Sequence, residues 1–208
     1  MKIIALTQRL FLNNSYYEMR EALDVNWGAF LQTCGFLPLP LSIKVDFKRY
    51  FSEYKVSGII LTGGNDLKIF YNEETSEIRD RYETDIVNYA IKNQIPILGV
   101  CRGMQIIGNI FGSEISKITS HTGTRHDIKI VNKSRYSNAL NNFSNVNSYH
   151  NYTLKTVPGA LNVLAQSDDG AIESIEHAEH KILAFMWHPE REAPFKTNDI
   201  MLIKEFFI

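Results

Sequence analysis

Cysteine is scarce in this chain: two residues of that type, Cys34 and Cys101, stand among 208. Two cysteines cannot build a disulfide framework or a four-cysteine zinc site. An excess of one charge is also missing, since 22 basic residues face 23 acidic ones and the formal net charge is -1. Nothing in that balance argues for nucleic acid or an anionic membrane as a partner. No run reaches the ~20 apolar residues of a membrane span. Met1 to Leu10 lacks the basic region, apolar run and small-residue cleavage site of a signal peptide. These absences predict a cytoplasmic protein without nucleic-acid or membrane partners. What is present is ordinary: 44% hydrophobic and 22% charged residues exclude a disordered chain, a fibre and a coiled coil. The length fits one sizeable α/β domain over residues 1–208.

Short apolar runs alternate with longer amphipathic segments, the pattern of βαβ units around a mostly parallel sheet flanked by helices. Lys2 to Leu6 reads as a buried strand and Tyr16 to Leu31 as a helix. A strand follows at Phe36 to Leu41, a short helix at Phe47 to Tyr54, and a strand at Gly58 to Leu61 that runs into Thr62-Gly63-Gly64-Asn65-Asp66. Ser76 reads as the N-cap of a helix with an apolar stripe at Ile78, Tyr82, Ile86 and Ala90. Ile97 to Val100 is a strand and Gly103 to Phe111 a helix closed by Gly112. The second half reads as short strands at Ile128 to Val131, Val146 to Tyr149, Leu161 to Gln166, Ala171 to Ile175 and Ile182 to Trp187. A helix over Lys196 to Phe207 ends the chain.

The most informative segment is Ile97 to Gln105. An apolar strand enters it, an apolar helix leaves it, and glycines stand two positions before and after Cys101. Gly-x-Cys-x-Gly at a strand-to-helix turn is the cysteine form of a nucleophile elbow. Such a turn is tight, and the glycines leave room for it. It lifts the sulfur above the sheet at a helix N-terminus, where the dipole favours thiolate, the nucleophilic form. The Arg102 N–H can then face a developing oxyanion. Cys34 lacks such flanks and reads as an inert packed thiol.

A cysteine nucleophile needs a base, and the base needs an orienting partner. Trp187-His188-Pro189-Glu190 ends an apolar strand. His188 can exchange a proton with Cys101, and Glu190 can accept from the other ring nitrogen. A surface His-Pro-Glu turn is the rival reading of the tripeptide alone. The run His177 to His180 has a ligand-like spacing but no third ligand, and reads as a solvated hairpin loop. His126 reads as structural, and His121 carries no signal. No metal and no cofactor are expected.

Six blocks in this order and spacing resemble the class I glutamine amidotransferase family, and within it the free-standing γ-glutamyl hydrolases. They are Thr62 to Asp66, Arg79-Asp80 with Glu83, Gly99 to Gln105, Asn147-Ser148-Tyr149-His150, Asp169 to Glu173 and Trp187 to Glu190. The resemblance implies a flavodoxin-like glutamine amidotransferase fold and a Cys-His-Glu triad of Cys101, His188 and Glu190. It implies a second oxyanion N–H at Gly63 or Gly64, and contact of Gln105 with the glutamyl group. It puts Ser148, Tyr149 and His150 in a loop lining the pocket. Arg79, Asp80 and Glu83 then support the pocket, although an exposed ion-pair cluster fits them equally well. The chain is shorter than many hydrolases of the family, which implies a trimmed loop near the pocket. Asn65 to Thr75 reads as a surface loop that could act as a lid.

The reaction so implied is cysteine-dependent hydrolysis of a small γ-glutamyl amide. The alternatives are a glutaminase subunit serving a separate synthase, a γ-glutamyl-amine hydrolase, and a non-catalytic thiol sensor. A nucleotide leaving group would need cations, and Arg9 and Arg102 stand near the C-terminal ends of predicted strands, where open α/β sheets bind ligands. No phosphate-binding loop of the Gly-x-x-x-x-Gly-Lys type occurs.

Overall fold

The computed structural model describes residues 1–208. Its first strand, β1 (Lys2–Leu6), leads into a hairpin of β2 (Arg9–Leu12) and β3 (Met19–Ala22), and then helix α1 (Asn26–Thr33). The helix predicted over Tyr16 to Leu31 therefore exists only in its last part. The backbone groups of Met19–Ala22 pair with Arg9–Leu12 instead, a non-local option that local periodicity does not register.

Strand β4 (Phe36–Pro40), helix α2 (Phe47–Glu53), strand β5 (Val56–Leu61), helix α3 (Glu74–Lys92), strand β6 (Ile97–Val100) and helix α4 (Arg102–Ile110) follow. Pro38 and Pro40 are tolerated because β4 is an edge strand, where a missing N–H costs no ladder bond on the open side. The expected cap at Ser76 is displaced, since α3 opens at Glu74 and buries Ser76 in its first turn. The buried stripe of α3 runs through Arg79, Glu83, Ile86, Val87 and Ala90, so two charged residues stand among its apolar ones.

The second half holds β7 (Ile115–Lys117), β8 (Thr122–Ile130), α5 (Ser137–Leu140), β9 (Asn145–Tyr149), β10 (Tyr152–Leu154), β11 (Leu161–Ser167), β12 (Ile172–His177), β13 (Ile182–Phe185), a 3-10 turn at Pro189–Arg191, and α6 (Thr197–Phe207). The central sheet has the order β4-β1-β5-β6-β13-β12-β11-β8-β9. From β4 to β13 all neighbours are parallel. From β13 to β9 they are antiparallel. The class is α/β with a mostly parallel central sheet, as the alternating pattern predicts.

Strand alternation divides the core between the two faces. Ile4, Leu6, Ile60, Leu98, Val100, Leu183 and Phe185 face α1, α5 and α6. Ala5, Ile59, Leu61, Ile97, Ile182 and Ala184 face α2, α3 and α4. No helix is long and apolar enough to cross a membrane.

The hairpin between β12 and β13 corrects the reading of His177 and His180. His177 is buried, and its Nδ1 accepts the backbone N–H groups of Glu179 and His180, both at 3.0 Å. Its ring closes the turn.

Candidate active site

The C-terminal ends of β1, β5, β6 and β13 meet at one edge of the parallel half. Cys101 stands there between β6 and α4, with φ +53° and ψ -106°. A positive φ is costly for a residue with a Cβ. The turn is held from both sides: the Cys101 N–H donates to Phe185 O at 2.8 Å, and its carbonyl accepts from Met104 and Gln105. The flanking glycines serve packing more than the turn itself. A Cβ on Gly103 would meet Leu61 O at 2.0 Å, and one on Gly99 would meet the Gly103 backbone at 2.7 Å. Only glycines let α4 approach β5 and β6 this closely. Arg102 opens α4, so its N–H has no partner within the helix.

Gly63 lies across from the sulfur. A Cβ there would fall 2.8 Å from His188 Cε1 and 3.6 Å from Cys101 Cβ. Loop, thiol and imidazole thus meet within van der Waals reach. Gly64 has φ +81°, and a Cβ there would meet the Arg9 side chain at 2.9 Å. Both positions demand glycine, one for space and one for backbone conformation.

His188 is buried and gripped on three sides. Asn147 brackets its backbone, donating to the His188 carbonyl and accepting from the His188 N–H, both at 2.8 Å. Glu190 Oε1 lies 2.7 Å from Nδ1. Pro189 starts the 3-10 turn, a position that suits its fixed φ and absent N–H, and the turn folds Glu190 back onto the ring. Burial works against a charged imidazole here, but Glu190 and the Cys101 sulfur outweigh it and raise the His188 pKa to about 9.

The charged block on α3 is buried. The Arg79 Nε donates to Glu83 at 3.0 Å. Its Nη groups donate to the carbonyls of Thr62 at 2.7 Å, Gly63 at 3.1 Å and Gly64. A loop held by its carbonyls from below is free to present N–H groups above. Glu83 also accepts from Thr7 Oγ1 at 2.7 Å and pairs with Arg102. Of the two open readings of Arg79, Asp80 and Glu83, the buried one therefore holds. The Arg102 guanidinium is correspondingly unavailable to a ligand: it is buried against Glu83 and Asp80, which corrects its reading as a phosphate-binding cation.

A cleft of about 200 Å³ opens beside His188, lined by Arg9, Phe11, Trp27, Gly63, Gly64, Glu190 and Arg191 among others. The Arg9 guanidinium lies over the Phe11 ring at 4.1 Å. Arg191, which the sequence reading missed, lies over the Tyr149 ring at 4.7 Å, and Tyr149 meets the His188 ring edge-on at 5.7 Å. Strand alternation separates Tyr149 from its neighbours. Ser148 Oγ donates to His121 O at 2.6 Å, and His150 turns toward Glu173. Both are buried beneath the sheet surface, not in the cleft as expected. Gln105 is buried too, with Nε2 donating to Tyr152 O at 3.1 Å. The Asn65 to Thr75 segment is pinned at two points: the Asn65 carboxamide bonds both backbone groups of Leu10, and Phe70 stacks on Tyr152 at 3.8 Å. Cys34 is buried in the core, and burial pushes its thiol up to about 12.

A second polar cluster gathers His121, His126 and His150 around the carboxylate of Glu173. No single stretch of sequence announces it, because its members come from β8, β12 and the segments beside β8 and β9.

The pattern of the Peptidase C26 family matches residues 2–190. The gamma-glutamyl-CDP-amidate hydrolase of Campylobacter jejuni subsp. jejuni serotype O:2 is 36% identical over 207 residues, covering 98% of this chain and 96% of the relative. The glutamine-hydrolyzing subunit of a GMP synthase from Methanococcus maripaludis is 28% identical, covering 74% of this chain and 77% of the relative. In fold, the chain is similar to a putative GMP synthase subunit from Thermoplasma acidophilum, with a TM-score of 0.76 at 18% identity, covering all of this chain and 92% of that one. The chain belongs to the Peptidase C26 family of class I glutamine amidotransferase-like hydrolases.

Proposed function

We propose that this enzyme, acting as a single domain, removes a γ-glutamyl group from an amide nitrogen through a thioester on Cys101. The observation that carries this reading is the meeting of Gly63, Cys101 and His188 at the strained elbow. Cys101 attacks the γ-carbonyl. The N–H groups of Gly63 or Gly64 and of Arg102 receive the oxyanion. His188 protonates the leaving nitrogen, with Glu190 fixing its tautomer. A water that gives its proton to His188 then cleaves the thioester and releases L-glutamate. Each proton transfer is typically worth ~10²–10⁴-fold and each oxyanion donor about 10²–10³-fold.

For the leaving group we propose a CDP-amidate, making the substrate γ-glutamyl-CDP-amidate. Support comes from the relative of that name, which matches along nearly the whole of both chains. The cleft adds two cations on the side of the glycine loop, Arg9 and Arg191, suited to a diphosphate. Replacing either with alanine should raise KM for the nucleotide substrate and leave KM for a phosphate-free γ-glutamyl amide unchanged. An equal rise for both substrates refutes the assignment. Gln105 serves the glutamyl end in this reading.

The second reading is a glutaminase subunit, favoured by the likeness to the glutamine-hydrolyzing GMP synthase chain. Glutamate release by the purified chain alone separates the two. A panel of L-glutamine, a γ-glutamyl amine, a γ-glutamyl dipeptide and γ-glutamyl-CDP-amidate should give strong turnover of the last. A trace with glutamine alone would favour the glutaminase reading.

A further inference from the structure

We propose that His121, His150 and Glu173 hold a divalent transition-metal ion of the zinc class, with His126 as a fourth ligand. Glu173 Oε1 lies 3.5 Å from His121 Nδ1, 3.4 Å from His126 Nε2 and 3.4 Å from His150 Nε2. Hydrogen bonds between N–H and oxygen run about 2.7–3.2 Å, so these contacts are too long to be good ones. They match another geometry. A tetrahedral ion with bonds of about 2.0–2.1 Å keeps its ligands about 3.3–3.4 Å apart, since the tetrahedron edge is ~1.6 times the bond.

The tautomers point the same way. His121 Nε2 lies 2.9 Å from Asp169 Oδ2, and a carboxylate there calls for N–H on Nε2. His150 Nδ1 lies 3.1 Å from the Tyr152 carbonyl, which likewise calls for N–H on Nδ1. Each neutral ring then aims a lone pair at the Glu173 carboxylate. Lone pairs facing an anion repel unless a cation stands between them. A carboxylate or a carbonyl behind each ligating imidazole is also how protein metal sites fix their rings. The groups facing inward are buried and have no hydrogen-bond partner: His121 Nδ1, His150 Nε2, both His126 nitrogens and both Glu173 oxygens. Orphaned buried polar atoms of this kind are costly, and one bound ion satisfies most of them together.

The ion would join β8, β9 and β12 in the antiparallel half. It also reaches toward the cleft through the Tyr152 carbonyl, which His150 shares with Gln105. The role assigned is structural. The rival occupant is a proton, which would convert the cluster into an imidazolium–carboxylate network.

The test is zinc binding by the full chain without a histidine tag, stripped with chelator and titrated against a chromophoric competitor. The same titration on Cys101→Ala protein keeps the reactive thiol from taking the ion. The expected result is about one zinc per chain in both proteins, with a Tm rise of roughly 5 °C or more. Cobalt in place of zinc should give visible absorption of tetrahedral intensity. Glu173→Gln should abolish binding. Because that variant could fold poorly, Asp169→Asn at the half-exposed outer partner is the second variant, expected to weaken binding about 10–100-fold. Folded wild-type protein that takes up only trace zinc, with an unmoved Tm, would overturn the proposal. So would stoichiometric binding that neither variant weakens, since the ion would then lie elsewhere.

Discussion

Arg79→Lys is the substitution that most sharply tests how the glycine loop is held. Arg79 is wholly buried and spans two tasks with one planar group. It pairs with Glu83 through Nε and donates to the Thr62, Gly63 and Gly64 carbonyls through its Nη groups. Lysine keeps the charge but offers one compact ammonium, which cannot reach Glu83 and the loop in this fork geometry. At least two of these contacts are lost. Hydrogen bonds to a charged group contribute about 1.5–3 kcal/mol each, and relaxation recovers part of that. The expected loss is about 3 kcal/mol, which for a chain of this size lowers Tm by roughly 6–12 °C. Activity should fall further than stability explains. With its carbonyls released the loop no longer fixes its N–H groups, and one oxyanion donor is worth about 10²–10³-fold in kcat. The assay is urea unfolding beside initial rates of glutamate release at a temperature where the variant is fully folded. A variant with unchanged Tm and unchanged kcat refutes the reasoning. A lower Tm with wild-type kcat refutes the link between Arg79 and the oxyanion loop.

Other substitutions probe separate parts of the account. Glu190→Gln removes the charge beside His188 Nδ1 and should lower kcat by about 10²–10⁴-fold with little change in KM. The His188 pKa should fall from about 9, read by NMR titration, and an unmoved value would exclude Glu190 as its partner. Asp199 is buried, and burial raises its pKa from 3.8 to about 7 although it accepts the Trp187 indole N–H at 3.0 Å. A carboxyl raised in the folded state stabilises the fold fully below about 3.8, and that contribution is gone above about 7. Asp199→Asn should therefore flatten the pH dependence of urea unfolding and exceed wild type at pH ~8 by about 1–3 kcal/mol. Equal stability at that pH would mean the carboxylate is better solvated than its burial implies. Gly103→Ala drives a Cβ into the Leu61 carbonyl at 2.0 Å and should prevent soluble expression, whereas Gly159→Ala, with open space around it, should not.

The parallel half was legible because its signals are local. The buried strands at Lys2–Leu6 and Ile97–Val100 are continuous apolar runs, and the elbow around Cys101 carries its own glycines. The β2–β3 hairpin was not legible: Met19–Ala22 becomes a strand only by pairing with Arg9–Leu12. Arg102 misled for a related reason. Its place at the end of β6 suggested a ligand cation, but Glu83 and Asp80 on α3 claim its guanidinium from about twenty residues away. Period-two alternation could have shown that Ser148 and His150 face away from Tyr149, had the strand been assigned first. The cluster around Glu173 needs four segments brought together by the antiparallel strands, which no spacing rule reveals. Arg191 carried one usable signal, its position next to the His188-Pro189-Glu190 turn.

The measurement closest to the central claim is mass spectrometry of the protein quenched in acid during turnover of a γ-glutamyl substrate. The account predicts a glutamyl acyl group on the peptide that contains Cys101, absent from Cys101→Ala protein, which should also release no glutamate. Steady glutamate release by Cys101→Ala protein, or an acyl group found on another residue, would contradict it.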